Sequence, residues 1–313
     1  MTTQVAERYR LVTRSDFDGL VCAALLKELG ILDDILFVHP KDMQDGKVEL
    51  TDRDITTNLP YVAGVHLSFD HHDSETIRVT DAPENHIIVA GAKSAARVVY
   101  DHFGGADVFT LVGADIMAAV DKADAADFTR EDILEPQGWD YISFLMDPRT
   151  GLGRFREFRI SNYQLMMQLI DDITTKSIAE ILETPDVAER VELYREHADQ
   201  AIDQVARCGT QHGNLVVLDF RDEDKIFATN RFTVYALFPD CNISIHILWG
   251  LQRQNTVFAT GKSILNRTSA TDIGELMLSY GGGGHSAAGT CQVANEDAER
   301  VLGELIRKIN ADG

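Results

Sequence analysis

The stretch VHLSFDHH, residues 65–72, joins an apolar run to three residues that can bind a metal. The run 65–69 predicts a buried strand, which places Asp70, His71 and His72 at the carboxyl end of that strand. In open α/β sheets, ligand sites form in the crevice outside the strand ends. Paired imidazoles beside a carboxylate suit Mn²⁺, Fe²⁺ or Zn²⁺ better than a hard, all-oxygen site would. The triplet alone fits a solvated loop equally well, so other motifs of the chain have to decide between a metal site and a loop.

Strand-like and helix-like segments alternate around this stretch. Strands are predicted over 9–13, 35–38, 54–58, 65–69 and 86–90, and helices over 20–29, 92–103 and 108–123. This alternation favours a mostly parallel sheet that is covered by helices. A helical pattern over 141–182, with a loop around 148–153, precedes a second strand-rich part. That part has strands over 215–220, 243–249 and 256–260, a helix over 270–279 and a terminal helix from 296.

A long amphipathic helix, predicted over 185–207, separates the two strand-rich parts. The 313 residues exceed one ordinary core, so two domains are expected. The predicted fold class is α/β, with an N-terminal mostly parallel sheet flanked by helices, a smaller C-terminal α/β domain, and an active-site cleft between them. We place a catalytic domain at 1–184, a connecting helix at 185–209 and a substrate-binding domain at 210–313.

Composition limits what the protein binds and where it works. No apolar run approaches the roughly 20 residues of a membrane span, and the N-terminus lacks the apolar core of an export signal. The formal charge of −21 argues against a protein that coats long nucleic acid. A small anionic substrate stays compatible, because a few arginines in a cleft can focus the field locally. Four separated cysteines predict reduced thiols in a cytoplasmic protein: Cys22, Cys208, Cys241 and Cys291.

Carboxylates occur at two other places where a metal ligand is expected. Asp16 and Asp18 follow the first strand on a turn into a helix, where Gly19 permits a tight backbone. A helix cap explains one such Asp, but two of them beside an Asp-His-His loop favour metal ligation. Near the end of a later helix, carboxylates oppose the helix dipole and need a cation nearby. There we choose Asp124 as the ligand and expect Asp127 to be solvated, and the sequence leaves both interpretations open for Asp121.

The run YGGGGHSAAG, residues 280–289, is a candidate site for an anionic group. Successive glycines cost backbone entropy, but their N–H groups can form an anion-binding concavity. We therefore assign substrate binding to Gly282, Gly283, Gly284 and His285. A flexible hinge is the alternative.

Arginines supply further candidate phosphate contacts in this acidic chain. Arg267 is assigned to substrate binding, because a guanidinium can bind an oxyanion bidentately. Arg154, Arg156 and Arg159 form a local basic cluster whose function the sequence does not reveal. Surface charge explains that cluster equally well.

Three motifs in this order resemble the DHH phosphoesterase superfamily with its DHH-associated C-terminal domain. They are Asp-x-Asp-Gly at 16–19, Asp-His-His at 70–72 and Gly-Gly-Gly-His-x-x-Ala-Gly at 282–289. The resemblance covers nearly the whole chain, except for the segment around 130–180. Members include single-strand exonucleases, oligoribonucleases that also act on phosphoadenosine phosphate, cyclic-dinucleotide phosphodiesterases, exopolyphosphatases and pyrophosphatases. The resemblance implies two Mn²⁺ ions in the N-terminal domain and a C-terminal domain that clamps the substrate.

The chain departs from the family pattern at two positions. Arg14 stands where the first motif usually opens with histidine, and Asn58 stands where the second motif has an Asp that bridges the metals. One metal site would then keep little beyond Asp16. The other would keep Asp18, His71 and Asp124, with an amide oxygen of Asn58 at best. Because the two changes add two units of positive charge, we expect one ion, Mn²⁺ or alternatively Mg²⁺, or none, with Arg14 replacing the missing cation.

The sequence therefore predicts a metal-dependent phosphohydrolase with a reduced metal site. Asp70 and His72 would support the catalytic centre together with Arg14. The expected substrate is a small phosphate compound such as a short oligonucleotide, phosphoadenosine phosphate, a cyclic dinucleotide or polyphosphate. We expect neither a membrane nor long nucleic acid as a partner, and the sequence leaves a homodimer open. The alternative is a degenerate homologue that binds a nucleotide or phosphate without turnover.

Overall fold

Five parallel strands form the sheet of the N-terminal part of the chain. The structure is a computed structural model that describes residues 7–79, 81, 83–155 and 157–313. The strands are β1 (Tyr9–Thr13), β2 (Leu32–Phe37), β3 (Asp54–Thr57), β4 (Leu67–Asp70) and β5 (His86–Ile88). They lie in the order β2-β1-β3-β4-β5, and every neighbouring pair is parallel. The strand order reverses between β1 and β3, which is the position where open α/β sheets form a ligand crevice.

Helices connect and follow these strands. They are α1 (Phe17–Glu28), α2 (Pro40–Gln44), α3 (Asp73–Arg78), α4 (Ala95–His102), α5 (Ala114–Asp124), α6 (Arg130–Leu134), α7 (Trp139–Met146), α8 (Asn162–Thr175), α9 (Ile178–Glu183) and α10 (Pro185–Cys208). Helix α1 is buried continuously from residue 17 to residue 26 and packs against α4, α5 and α8. Its sequence explains this position, since a helix that is apolar on all sides has to lie inside the protein.

A mixed sheet forms the core of the C-terminal part. Its strands are β6 (Gly209–His212), β7 (Leu215–Asp219), β8 (Ile243–Trp249), β9 (Thr256–Lys262), β10 (Gly283–His285) and β11 (Ala288–Val293), and its helices are α11 (Thr233–Leu237), α12 (Ile273–Leu278) and α13 (Ala298–Asp312). The order is β10-β11-β9-β8-β7-β6, in which only β7 and β8 pair in parallel. Apolar side chains of β7, β8, β9, α12 and α13 pack together in one core.

The contacts divide the chain into two compact units. The first comprises the chain up to residue 127 with 137–148 and 153–191, and the second comprises 128–136, 149–152 and 192–313. Helix α10 contributes its first turns to the first unit and the rest to the second. The functional domains that we placed at 1–184 and 210–313 stay a prediction. Within the described residues, no helix is long and apolar enough to cross a membrane.

The predicted α/β fold class is confirmed, with a parallel first sheet and a smaller second unit. Local expectations differ in two places. The helical pattern over 141–182 forms three helices, α7, α8 and α9, because Asp147, Pro148 and the glycines at 151 and 153 interrupt it. The glycine run, to which the sequence analysis assigned no strand, contributes β10 to a hairpin with β11. The hairpin forms because Gly283–His285 find pairing partners in Ala288–Thr290, which is a tertiary property.

Candidate active site and metal centre

The turn after β1 places Arg14 and Asp16 at the carboxyl end of the sheet. Asp16 caps helix α1, because its Oδ1 accepts a hydrogen bond from the Gly19 N–H at 3.0 Å. Its Oδ2 lies 3.2 Å from Arg14 Nε in an ion pair. A Cβ atom at residue 19 would lie 2.1 Å from the Arg14 carbonyl oxygen, so this tight turn requires glycine. Asp16 thus caps the helix and also forms an ion pair with the Arg14 guanidinium at the strand end.

Asp18 lies inside the first turn of α1 and is only 2% exposed. Its Oδ1 accepts from the Ala96 N–H at 2.8 Å and its Oδ2 from the Ala95 N–H at 3.1 Å, at the start of α4. Burial, followed by the nearby carboxylates Asp124 and Asp16, raises the pKa of Asp18 well above its usual value. A bound cation would offset this cost, because it favours the charged carboxylate.

The Asp-His-His loop brings His71 to Asp18 and Asp124. His71 Nε2 lies 2.9 Å from Asp124 Oδ2, while its Nδ1 contacts the Ala92 carbonyl oxygen at 3.0 Å. One donor atom from each of Asp18, His71 and Asp124 lies within 4.8 Å of the others. An imidazole that donates Nδ1–H to a carbonyl has Nε2 free for a metal, which is the usual arrangement of a histidine ligand. These three residues therefore fit a divalent cation.

Asp70 holds the second histidine of the loop. Its side chain is 1% exposed, and its Oδ1 accepts from His72 Nδ1 at 2.7 Å and from the His71 N–H at 2.8 Å. The side chain of His72 is 44% exposed, so its ring reaches solvent while Asp70 fixes its orientation.

Asn58 follows β3, the strand next to β1, and adopts a positive φ of 54°. Its Nδ2 lies 3.5 Å from Asp16 Oδ2, and its buried Oδ1 has no hydrogen-bond partner among the described residues. Asp16 is thus approached by the Arg14 guanidinium and by the Asn58 amide.

The three carboxylates at the end of α5 have different surroundings. Asp121 accepts from Ser94 Oγ at 2.7 Å and from Arg97, and so ties α5 to the start of α4. Asp127 is exposed and contacts Lys93 at 3.4 Å. Only Asp124 of the three lies against His71. Its assignment as a ligand remains a prediction that this geometry supports.

In the second unit, tight packing accounts for part of the glycine run. A Cβ at residue 282 would lie 2.1 Å from the Thr290 carbonyl oxygen, and one at residue 284 would lie 2.2 Å from that of Ala288. Gly283 differs, since nothing lies within 4 Å of its Cβ position. Close backbone approach therefore explains Gly282 and Gly284, whereas Gly283 keeps an open face to which a ligand has access.

The other two predicted substrate contacts are exposed side chains of the second unit. His285 Nδ1 accepts from the Ala287 N–H at 3.3 Å, and Arg267 Nε donates to the Ile264 carbonyl oxygen at 3.0 Å. Arg267 lies in the loop after β9, and Lys262 at the end of β9 donates its N–H to the Ala287 carbonyl oxygen. Both side chains can contact an anion, and their roles stay predictions.

Known proteins place the chain in a family. No protein-family model and no curated protein matches it. Among solved structures, the pGpG-specific phosphodiesterase PggH from Vibrio cholerae is 61% identical, with 98% of this chain and 100% of that chain covered and a TM-score of 0.86. This chain belongs to the DHH phosphoesterase superfamily. CDC45 from Entamoeba histolytica shares the fold at 9% identity, with 96% and 95% of the two chains covered and a TM-score of 0.52.

The sequence analysis of this DHH phosphoesterase missed one acidic neighbour of the site. Asp147, directly after α7, lies close enough to Asp16 to raise the pKa of that carboxyl, whose shift comes mainly from burial. The buried end of α7 followed by Asp-Pro was the available signal. Of the basic cluster, burial lowers the pKa of Arg154, and Arg159 Nε lies 3.6 Å from Asp186 Oδ1. Arg156 lies outside the described residues.

Proposed function

We propose that this DHH phosphoesterase hydrolyses pGpG to two molecules of GMP. The observation that carries the proposal is the 61% identity to a pGpG-specific phosphodiesterase over 98% of the chain. The cluster of Asp18, His71 and Asp124 supports it independently, because that cluster supplies a cation site beside the Asp-His-His loop. The same evidence favours turnover over the degenerate homologue that only binds its ligand.

Asp18, His71 and Asp124 would hold one Mn²⁺ ion, with Mg²⁺ as the alternative. When bound, such an ion polarises a phosphoryl oxygen and lowers the pKa of a coordinated water. Arg14 would bind a second phosphoryl oxygen, because a planar guanidinium matches the geometry of an oxyanion. Asp16 and Asn58 hold that guanidinium and the surrounding turn in place.

In the reaction, a water oxygen bonds to phosphorus and gives up one proton to solvent, while the bond from phosphorus to the 3′ oxygen breaks. The leaving oxygen takes up one proton. His72 is the group in this chain that can supply it. Asp70 binds Nδ1 and leaves Nε2 as the second proton-carrying atom, on a ring that reaches solvent. We assign binding of the terminal 5′-phosphate to Gly283, His285 and Arg267. Gly283 would contribute its backbone N–H group, and the other two would contribute side-chain donors.

The test is hydrolysis of pGpG with added Mn²⁺, followed by chromatographic separation of GMP. Asp124→Asn should reduce the rate by more than about 100-fold, since even partners of metal ligands are worth 10–100-fold. Asp127→Asn is the matched control, because it makes the same change at an exposed carboxylate three residues away. The rate of that control should equal the wild-type rate.

The outcomes decide between the candidate functions. Unchanged hydrolysis by the Asp124→Asn variant would contradict the assigned metal site. Binding of pGpG by the wild-type chain without any GMP would favour the degenerate homologue. Activity that survives the double substitution Asp70→Ala/His71→Ala would come from a contaminating enzyme.

A further inference from the structure

A row of buried polar atoms crosses the first sheet behind the Asp-His-His loop. Thr56 in β3 pairs with Ser68 in β4, and Ser68 pairs with His86 in β5, so the three side chains lie side by side. Thr56 Oγ1, Ser68 Oγ and His86 Nε2 are all buried, and none has a hydrogen-bond partner among the described residues. Asp70 Oδ2, two residues beyond Ser68, is also buried and also has no hydrogen-bond partner among the described residues. Buried polar atoms are costly unless something binds them.

Three strong metal donors converge at the β5 end of this row. Donor atoms of Asp70, Glu75 and His86 lie within 4.8 Å of one another. The three residues are 1%, 6% and 9% exposed, so the group is inside the protein. A solvated acidic surface patch therefore does not explain it. Two of its donor residues, Asp70 and His86, are also the ones with an unpartnered atom.

We propose that Asp70, Glu75 and His86 bind a divalent transition-metal ion at a second site, separate from the cluster of His71 and Asp124. Two carboxylates and one imidazole form a donor set that suits Zn²⁺ or Mn²⁺. The ion would bind to the two atoms that have no hydrogen-bond partner among the described residues, Asp70 Oδ2 and His86 Nε2. It would also balance the negative charge that the neighbouring carboxylates of Asp70 and Glu75 carry beyond the single positive charge of Arg78. The site does not depend on which substrate the enzyme hydrolyses.

Each donor is already held in position by a second contact, as metal ligands generally are. Arg78 Nε donates to Glu75 Oε1 at 2.7 Å, and the Tyr61 N–H donates to Oε2 at 3.0 Å. Asp70 Oδ1 binds His72, which leaves Oδ2 for the ion. The His86 ring stacks on Tyr61 with centroids 4.7 Å apart. Arg78 neutralises Glu75 in part, so Asp70, Glu75 and Arg78 together carry one negative charge toward the ion.

The ion would tie helix α3 to the paired strands β4 and β5. Asp70 ends β4, Glu75 belongs to the short helix α3, and His86 begins β5. The connection would fix the carboxylate that orients His72. The site is therefore structural, and its occupancy can be measured without any substrate.

The experiment counts metal ions per chain by atomic emission after the protein is loaded with Mn²⁺ or Zn²⁺ and dialysed. We expect two ions in the wild type, one in Asp124→Asn, one in His86→Gln and none in the double variant. His66→Gln is the matched control, because His66 also stacks on a tyrosine, Tyr9, but is exposed. That control should retain two ions. Added Zn²⁺ should raise the melting temperature of Asp124→Asn but leave that of the double variant unchanged.

A metal content of His86→Gln equal to that of the wild type would overturn the proposal, as would complete loss of metal in Asp124→Asn. Should the His86 variant fail to fold, anomalous scattering from metal-loaded wild-type crystals decides the question. A peak between Asp70, Glu75 and His86 supports the site, and density for water alone refutes it.

Discussion

At the scale of single residues, the site has a guanidinium and an amide beside Asp16, where the family pattern has a histidine and a bridging carboxylate. Arg14 Nε lies 3.2 Å from Asp16, and the Asn58 amide approaches the same carboxylate. A guanidinium brings its charge permanently, whereas a metal ion brings its charge only when it binds. We therefore expect one ion at the cluster of Asp18, His71 and Asp124, with the second phosphoryl contact provided by Arg14.

Restoring the family's pattern should restore the second ion. The double substitution Arg14→His/Asn58→Asp removes one positive charge and adds one negative charge next to Asp16. Close charges interact by several kcal/mol at protein-like dielectric. Metal analysis should show one more Mn²⁺ per chain than in the wild type. Arg53→His, which removes an exposed arginine from the surface, should leave the count unchanged. An unchanged count in the double variant would show that Arg14 does not replace a cation.

His71 should make metal binding depend on pH. Burial lowers the pKa of His71, but the ion pair with Asp124 outweighs it and raises the pKa from 6.5 to about 9. In the metal-free protein, this ion pair stabilises the folded state fully below pH 6.5, and the stabilisation is lost as pH rises through 9. A metal ion has to displace the proton. Its affinity should therefore rise by up to about tenfold per pH unit over this window.

Calorimetric titration of Mn²⁺ into metal-free protein at several pH values measures this dependence. Buffers with different ionisation enthalpies count the proton that is released. In the same window, the melting temperature of the metal-free protein should fall, and Asp124→Asn should show a smaller fall. An Mn²⁺ affinity that is constant from pH 6.5 to 9 would contradict the role of His71.

At the scale of elements, the β10–β11 hairpin shows how packing and binding share one glycine run. Gly282 and Gly284 face backbone carbonyl oxygens at distances that exclude a Cβ atom, whereas the Cβ position of Gly274 in α12 lies 3.1 Å from the Gly284 backbone, which is tight but not excluded. Gly283 has no such neighbour. Four consecutive glycines therefore occupy positions with different physical requirements. Only the strand pairing shows which of them have to be glycine for packing.

Two adjacent substitutions separate these requirements. Gly284→Ala should destabilise the protein by about 1–3 kcal/mol, as overpacking generally does. Gly283→Ala should leave the free energy of unfolding within about 0.5 kcal/mol. It should nevertheless raise KM for pGpG by roughly tenfold, which corresponds to about 1.4 kcal/mol of lost binding. Denaturant unfolding and steady-state kinetics measure the two effects, and an unchanged KM for Gly283→Ala would remove the glycine run from the substrate site.

At the scale of the whole molecule, the charge of −21 acts on any anionic substrate. A dinucleotide carries few phosphates, whereas each added nucleotide of a longer strand meets further repulsion from the acidic surface. The electrostatic field therefore favours short substrates without any steric barrier.

This repulsion should appear in the salt dependence of the reaction. The value of kcat/KM for pGpG should rise when ionic strength increases from about 0.01 to 0.1 M, because the screening length falls from roughly 30 to 10 Å. The rise should be steeper for a trinucleotide than for pGpG. A steep fall with salt would instead indicate that local arginines, rather than the net charge of the chain, control the approach of the substrate.

The sequence by itself determined the fold class, most strand positions and the residues at the carboxyl ends of β1 and β4. These features are local, since apolar periodicity and strand-end motifs follow from neighbouring residues alone. Asp18, His71 and Asp124 were named from their motifs, but only the tertiary structure brings them within 4.8 Å of one another. Glu75 and His86 gave no local signal, because their place depends on which strands pair and which helices pack. The register that aligns Thr56, Ser68 and His86 is likewise set by the pairing of β3, β4 and β5.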